Sequence, residues 1–596
     1  MSTTSEGKPL HYRCSNYSLE CAADRPYVRL FSPTGELLLD LFVPASINTN
    51  RALDDTTGVG EFTKRTAGHE TVFTLEATSS VWRRKTYRIR CTVASLCFET
   101  EVDGHGQLTD VHYFGGNYSG QPRWGTGYFW SGTRLSKGFN PEPMVAEEQY
   151  FPASSGSLID ATGVPLPGKD GWFFTPPPYC LAFEWSQGWL GFGVEAAPGA
   201  NRYNDLRYVG QRGAFHLSLG FDGRTGVDGV YRLPDLAIQF GAGPYEVLEA
   251  HVKSFKSRAL VPDPHARLQA LWWCWPIFCG WGSQSHLAAV TGGHAPALAT
   301  EPNYRTFLAT LAEQGISPGV LVIDDKWQAT YGENLVDEAK WPDLNGFIAE
   351  QHETGRKVLL WLKAWDPEGL PVEECVTNAV GVKVACDPTN PAFERRLRAA
   401  VRNMLAADGY DADGFKLDFT ARMPSGPGLT LNGDVWGLEL MRLYLSILYS
   451  EAKAVKPDAL VMTHTPHPYL ADQLDMIRLN DINKGSDVNA AMRHRAHVAR
   501  IACPHALIDT DNWPIPDRSS WREYIGLQLE LGVPSLYYSS HIDTSGEPLL
   551  DEDYELIRRI WGRAPGAAPH SSPLAPFEDE IIPGTQGEDP EAEAVS

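Results

Sequence analysis

Four pairs of residues in the C-terminal half have types and spacings that can do chemistry together. They are Asp324 with Asp325, Lys416 with Asp418, Arg478 with Asp481, and Asp509 with Asp511. Each pair ends or follows a short apolar run, which brings charge to a partly desolvated edge where charges need partners. A sugar supplies such partners, because its hydroxyls satisfy carboxylates and Lys while its C–H face stacks on Trp. Trp273, Trp327 and Trp361 are the stacking candidates among the 18 Trp, and His464 stands near the same edge.

Cleaving a glycosidic bond takes two carboxyl groups, one at the anomeric carbon and one that protonates the leaving oxygen. Lys416 and Asp418 alternate along one run, so on a strand both side chains face the same way. The Lys416 charge would hold Asp418 ionised, as a nucleophile requires. The acid should come from another strand and have a raised pKa. Asp481 fits that role, 63 residues further on (481 − 418). The bland reading of any one of these residues is a helix cap or a structural ion pair. Arg478, in particular, could serve only to orient Asp481.

These residues need a scaffold that gathers strand ends. From about residue 261 to 565, apolar runs alternate with helical stretches, the pattern of a parallel α/β domain. Eight candidate strands begin at Leu271, Gly319, Lys357, Gly414, Ala459, Asp475, His505 and Val533. Eight such units in about 300 residues predict a (β/α)8 barrel, whose active site lies at the C-terminal strand ends. Residues 1–260 read as short alternating segments such as Tyr27-Val-Arg-Leu-Phe, broken by turn residues, and predict a β-sandwich. Gly- and aromatic-rich stretches at Tyr113–Tyr118 and Trp124–Trp130 read as loops within it. Residues 566–596, rich in Pro, Gly, Ala and acids, read as a disordered acidic tail. The fold class is therefore multidomain β and α/β.

Bulk properties narrow the function classes. A chain of 596 residues exceeds one ordinary core, and 43% hydrophobic with 21% charged residues is globular composition. A formal net charge of −23 argues against nucleic acid. No run approaches the roughly 20 apolar residues of a membrane span, and no signal peptide is recognisable. The ten cysteines form no CxxC pair or zinc spacing, so free, mostly buried thiols in a cytoplasmic protein are expected. His464 and His467, on a Pro-containing loop, make a poor metal motif. No metal or other cofactor is expected. The expected partner is an oligosaccharide or glycoside, and a homo-oligomer stays open.

Several of these segments resemble one family. Val322-Ile-Asp-Asp-Lys-Trp-Gln resembles the IDDGWQ segment of glycoside hydrolase family 36, the α-galactosidases and raffinose synthases. Gly414-Phe-Lys-Leu-Asp-Phe resembles its K-x-D nucleophile strand, and Ile477-Arg-Leu-Asn-Asp its R-x-S-D-D segment. Asp509-Thr-Asp-Asn-Trp resembles D-W-D-M-F, and Trp273-Cys-Trp-Pro-Ile-Phe resembles W-C-T-W-D-A-F. The resemblance covers about residues 260–545, with the motifs in order.

It implies a retaining α-glycosidase, α-galactosides favoured, with Asp418 as nucleophile and Asp481 as acid/base. Asp324, Asp325, Lys416, Arg478 and Asp511 would hold sugar hydroxyls. Transfer to a sugar acceptor is the alternative reaction, and a sugar-binding protein without catalysis the alternative class. Family 31, mostly α-glucosidases, is the nearest competitor and would place the acid at Asp511. The chain departs from the family 36 pattern in three places. Lys326 replaces a Gly, Pro276 stands near an expected Asp, and Thr463-His464-Thr-Pro-His467 replaces a Cys- and Gly-rich loop. A C-terminal β-domain is not recognisable either.

Overall fold

The computed structural model describes residues 8–119, 127–142, 146–154, 176–262, 270–420, 422–479, 481 and 487–564. The acidic tail expected at 566–596 lies outside the described residues, as do residues 124–126 of one predicted loop.

Among the described residues between Leu10 and Gly241, nineteen strands join in a single hydrogen-bonded network. Two of these strands are long enough to change partners along their length. Leu96–Tyr113 pairs with Arg84–Cys91 along its first half and with Ser46–Thr49 along its second. Ala214–Arg232 runs antiparallel beside it, with a register shift between Leu108 and Asp110. Within the Gly- and aromatic-rich stretches predicted as loops, the described parts form strands: Gly115–Tyr118 pairs with Gly127–Thr133. Glycine serves there by letting backbones approach, since a β-carbon on Gly115 would press on His216 and the Phe129 carbonyl. Helix Pro244–Ser257 follows, its buried face formed by Val247, Leu248, Val252 and Phe255.

The second part is a closed barrel of eight parallel strands. In order they are Ile277–Cys279, Val320–Ile323, Lys357–Lys363, Gly414–Asp418, Leu460–Thr463, Met476–Arg478, Leu507–Thr510 and Val533–Leu536. The first closes on the last through the Ile277–Ser535 register. Both faces of each strand are covered, which is why these runs read as unbroken apolar stretches.

Seven of the eight predicted strands overlap those observed, and the first is corrected. Leu271–Cys274 is a 3₁₀ turn, and the strand starts after Pro276, whose lack of an N–H suits the position just before a strand. The correction relocates Trp273. Its indole donates to the Asp458 carbonyl (2.9 Å), just ahead of the fifth strand, so it lies at the N-terminal end of the barrel.

Helices cross from strand to strand, several with side-chain caps: Thr300 for Glu301–Glu313, Asp343 for Leu344–Glu353, Asn390 for Pro391–Leu405 and Asp517 for Arg518–Leu531. Between the fifth and sixth strands the described chain has only the 3₁₀ turn Pro468–Gln473. At Gly414 (φ +153°) a β-carbon would overlap Leu460, so glycine lets the fourth strand lie against the fifth and fixes the register that aims Lys416 and Asp418. No helix among the described residues is long and apolar enough to cross a membrane, and all ten cysteines are free thiols.

Candidate active site

At the C-terminal strand ends a cavity of about 250 Å³ opens, lined by Asp324, Asp325, Trp361, Lys416, Asp418, Arg478 and Asp481. Each lining residue follows from its strand. Asp324 and Asp325 leave the second strand where its apolar run stops. Asp324 is buried, its carboxylate accepting from Lys416 Nζ (2.7 Å), Cys279 Sγ (3.0 Å) and the Asp325 amide (2.8 Å). Asp325 accepts from the Tyr331 hydroxyl (2.8 Å). Burial, reinforced by the charges of Asp324 and Asp418, pushes Asp325 up to about 7 against the pull of Tyr331 and Lys363.

Asp418 ends the fourth strand, and Phe419 turns sharply after it with φ +58°. Three hydrogen-bond donors and the His464 ring surround its carboxylate. Trp361 Nε1 reaches Oδ2 at 3.1 Å. The Phe419 amide (2.9 Å), Arg478 (3.3 Å) and His464 Nε2 (3.1 Å) reach Oδ1. Burial alone would raise its pKa, yet Arg478, His464 and Lys416 outweigh it and hold Asp418 well below the usual carboxylate range.

Arg478, buried at the end of the sixth strand, joins three carboxylates. It donates to Asp418, to Asp481 Oδ1 (2.8 Å) and, through a short contact, to Asp511. Asp481 follows three residues later and lines the cavity. Burial, together with the charges of Asp511 and Asp418, pushes Asp481 up to about 6 despite Arg478. Two carboxyl groups that share one guanidinium are thus driven in opposite directions. One is held as an anion, the other retains its proton up to about pH 6. A fixed anion beside a proton donor can attack an electrophilic carbon while protonating its leaving group.

The other residues singled out from sequence fall as follows. Asp511 is fully buried, holding Arg478 and the Trp513 amide (2.8 Å), and does not line the cavity. His464 is buried against Asp418. Trp327 is a buried prop rather than a stacking surface: its indole donates to the Trp361 carbonyl (2.8 Å) and its ring meets Tyr410 edge-on. Trp273, at the far end of the barrel, cannot reach the cavity. His467 points elsewhere, ring-to-ring with Tyr179, and burial pushes it down to about 3.

Among the described residues, the compact group of possible metal ligands is Cys97, Glu99 and Asp235 in the β-domain. Arg90 pairs with Glu99, Arg258 with Asp235, and Arg232 with both acids, which makes the group an ion-pair network.

Sequence reading missed four cavity walls, Trp281, Phe419, Arg422 and Tyr537, and it placed Trp513 at the end of the seventh strand without giving it a role in the site. Trp281 was hidden by the misplaced first strand. Tyr537 lies one residue past the eighth strand, where the ends of strands could have pointed to it as they did to Trp513, three residues past the seventh. Trp281 and Trp513 meet edge-to-face at 5.6 Å and form an aromatic wall. A larger surface groove of about 580 Å³, between helices Pro244–Ser257 and Val488–Ala502, contains none of these carboxylates.

No protein-family model matches the chain, and comparison with curated proteins finds no match. Solved structures do match. A family 31 sulfoquinovosidase from E. rectale, in complex with an aza-sugar inhibitor, aligns over 93% of this chain and 82% of that one, with TM-score 0.55 and 11% identity. The α-galactosidase TtGalA from Thermus thermophilus, in complex with stachyose, aligns over 84% and 99%, with TM-score 0.50 and 15% identity. The cycloalternan-forming enzyme of Listeria monocytogenes aligns over 91% of this chain and 57% of that one, with TM-score 0.52 and 11% identity. At these identities the likeness is one of fold: the chain has the β-domain-plus-barrel architecture of these three proteins.

Proposed function

We propose that the chain is a retaining α-glycosidase with Asp418 as nucleophile and Asp481 as acid/base. The observation that carries the reading is the divergent electrostatics of these two carboxyls around Arg478, at the C-terminal end of a barrel.

In the first step an Asp418 carboxylate oxygen bonds to the anomeric carbon as its bond to the leaving oxygen breaks. Asp481 passes its proton to that oxygen. In the second step Asp481, now a carboxylate, takes a proton from water. The resulting hydroxide equivalent bonds to the anomeric carbon, which releases Asp418. Arg478 touches both carboxyls throughout and stabilises whichever is charged. Asp324, Asp325 and Lys416 face the cavity as the hydroxyl-binding set.

Asp481 is preferred over Asp511 because it lines the cavity, whereas Asp511 is sealed between Arg478 and the Trp513 amide. α-Galactosides are favoured on the likeness of Val322–Gln328 to the IDDGWQ segment. The fold neighbours are named for different sugars and leave that preference open.

The test is hydrolysis of aryl α-glycosides (galactoside, glucoside, N-acetylgalactosaminide, xyloside) by wild type and Asp418→Ala. Turnover of one sugar, abolished in the variant, is expected. Folded wild type that turns over none of the four, and is not labelled by activated fluorosugars of the same set, would overturn the reading.

A further inference from the structure

Asp481 carries its proposed role from outside any helix or strand, three residues beyond the end of the sixth strand. Its carboxylate is tied to Arg478. A second arginine holds its backbone: Arg495 Nη1 donates to the Asp481 carbonyl at 3.0 Å. Arg495 lies on helix Val488–Ala502 with its side chain 2% exposed, and a guanidinium buried to that degree needs a charged partner. The partner comes from the other part of the molecule. Glu142, just past strand Lys137–Phe139 of the β-domain, lies 3.2 Å from Arg495 Nε.

The same segment grips the same helix one residue earlier. His494 Nε2 donates to the Asn140 carbonyl (2.8 Å), while the Tyr245 hydroxyl meets its Nδ1 at 2.7 Å. Burial pushes His494 down to about 4, so the ring stays neutral and keeps the tautomer these bonds require. Asn140 Oδ1 in turn accepts from the Glu142 amide (3.0 Å), which links the two contacts through one segment.

We infer that Glu142 and Arg495 are positioning residues through which the β-domain sets the reach of Asp481 in the barrel. The inference rests on the glycosidase reading and deepens it. A proton donor displaced by about 1 Å loses on the order of a hundredfold in rate. That loss falls only on leaving groups that need the proton.

The experiment compares kcat/KM for two substrates of the sugar that wild type accepts. One is a methyl or disaccharide glycoside, which leaves only when protonated. The other is the glycosyl fluoride or 2,4-dinitrophenyl glycoside, which leaves without help. The variants are Glu142→Gln, which keeps the shape, Arg495→Met, and Arg495→Lys as a conservative rescue, each checked by thermal unfolding.

Expected is a loss of about ten- to a hundredfold on the unactivated substrate and under about threefold on the activated one, Arg495→Lys falling between. Equal losses on both substrates, or no loss on either, would overturn the positioning role while leaving the glycosidase intact. Wild type inactive on both would instead overturn the glycosidase reading, and this role with it.

Discussion

The Trp361 indole donates to Asp418 Oδ2 across 3.1 Å, from the strand next to the one that carries the carboxylate. Trp361 donates to Oδ2, whereas among the described residues Arg478, His464 and the Phe419 amide gather at Oδ1. Trp361 therefore sets the orientation of the oxygen facing it. Trp361→Phe keeps a ring and deletes the donor. A hydrogen bond to a charged acceptor contributes about 1.5–3 kcal/mol, so kcat/KM should fall about ten- to a hundredfold. A steady-state assay on the accepted aryl glycoside measures this; an unchanged kcat/KM would mean that the indole only packs.

Azide separates the two acid candidates. In Asp481→Ala an activated aryl glycoside should still form the glycosyl-enzyme. Azide should then attack it, raise kcat and yield the α-glycosyl azide. Asp511→Ala should show no such rescue, because its loss exposes Arg478 without removing a proton donor. In Asp418→Ala, activity should fall by more than about a thousandfold, and azide should give the β-azide by direct displacement. Rescue of Asp511→Ala in place of Asp481→Ala would transfer the acid role to Asp511.

Much of this site is legible in the sequence because barrel strands are short and their ends carry the chemistry. Once Gly414–Asp418 is read as a strand, the alternation of Lys416 and Asp418 is fixed, and both line the cavity. The signal fails where side chains leave that pattern. Trp273 and Trp281 are both near the first strand, and an apolar Trp-rich run does not reveal where a strand begins. Proline at 276 marked the boundary, yet the run before it looked more strand-like than Ile277–Cys279. Lys326 shows a different limit. It replaces the Gly of the IDDGWQ segment, and the backbone there has φ +78°, the left-handed region where glycine is at ease. Lys326 is held there by its pairing with Glu368 and by the Tyr331 ring, 3.7 Å below its ammonium, contacts that no local pattern announces. Cys279, which reaches Asp324 through 3.0 Å, gave no motif at all.

The pH profile follows from the two shifts. Asp481 must carry its proton, so activity is present below its pKa of about 6 and lost as pH rises through it. Asp418 must be ionised and is held below the usual carboxylate range, so the acid limb should lie below about 3.9. Plotted against pH, kcat/KM should fall on the alkaline side near 6, and Asp481→Asn assayed with an activated substrate should lose that limb. Asp325, pushed up to about 7, titrates close by, so Asp325→Asn serves as the control that leaves the limb in place. A limb that survives in Asp481→Asn would assign it to another group.

Asp509 carries a stability cost that depends on pH. It is buried in the seventh strand, and no donor among the described residues reaches its Oδ1. Burial pushes it up to about 7, the Asp511 charge adding to the effect while Lys416, Ser535 and Arg478 oppose it. A folded pKa raised above the unfolded value of about 3.9 contributes stability below that value and loses it as pH rises through 7. Above pH 7 the native state therefore holds an unfavourable buried anion, and Asp509→Asn removes it. Thermal unfolding at pH 8.5 should show Tm higher in the variant by a few degrees, and at pH 4 the two proteins should melt together or the variant earlier. The same Tm difference at both pH values would mean that the substitution acts through packing, and that Lys416 and Arg478 hold Asp509 ionised without cost.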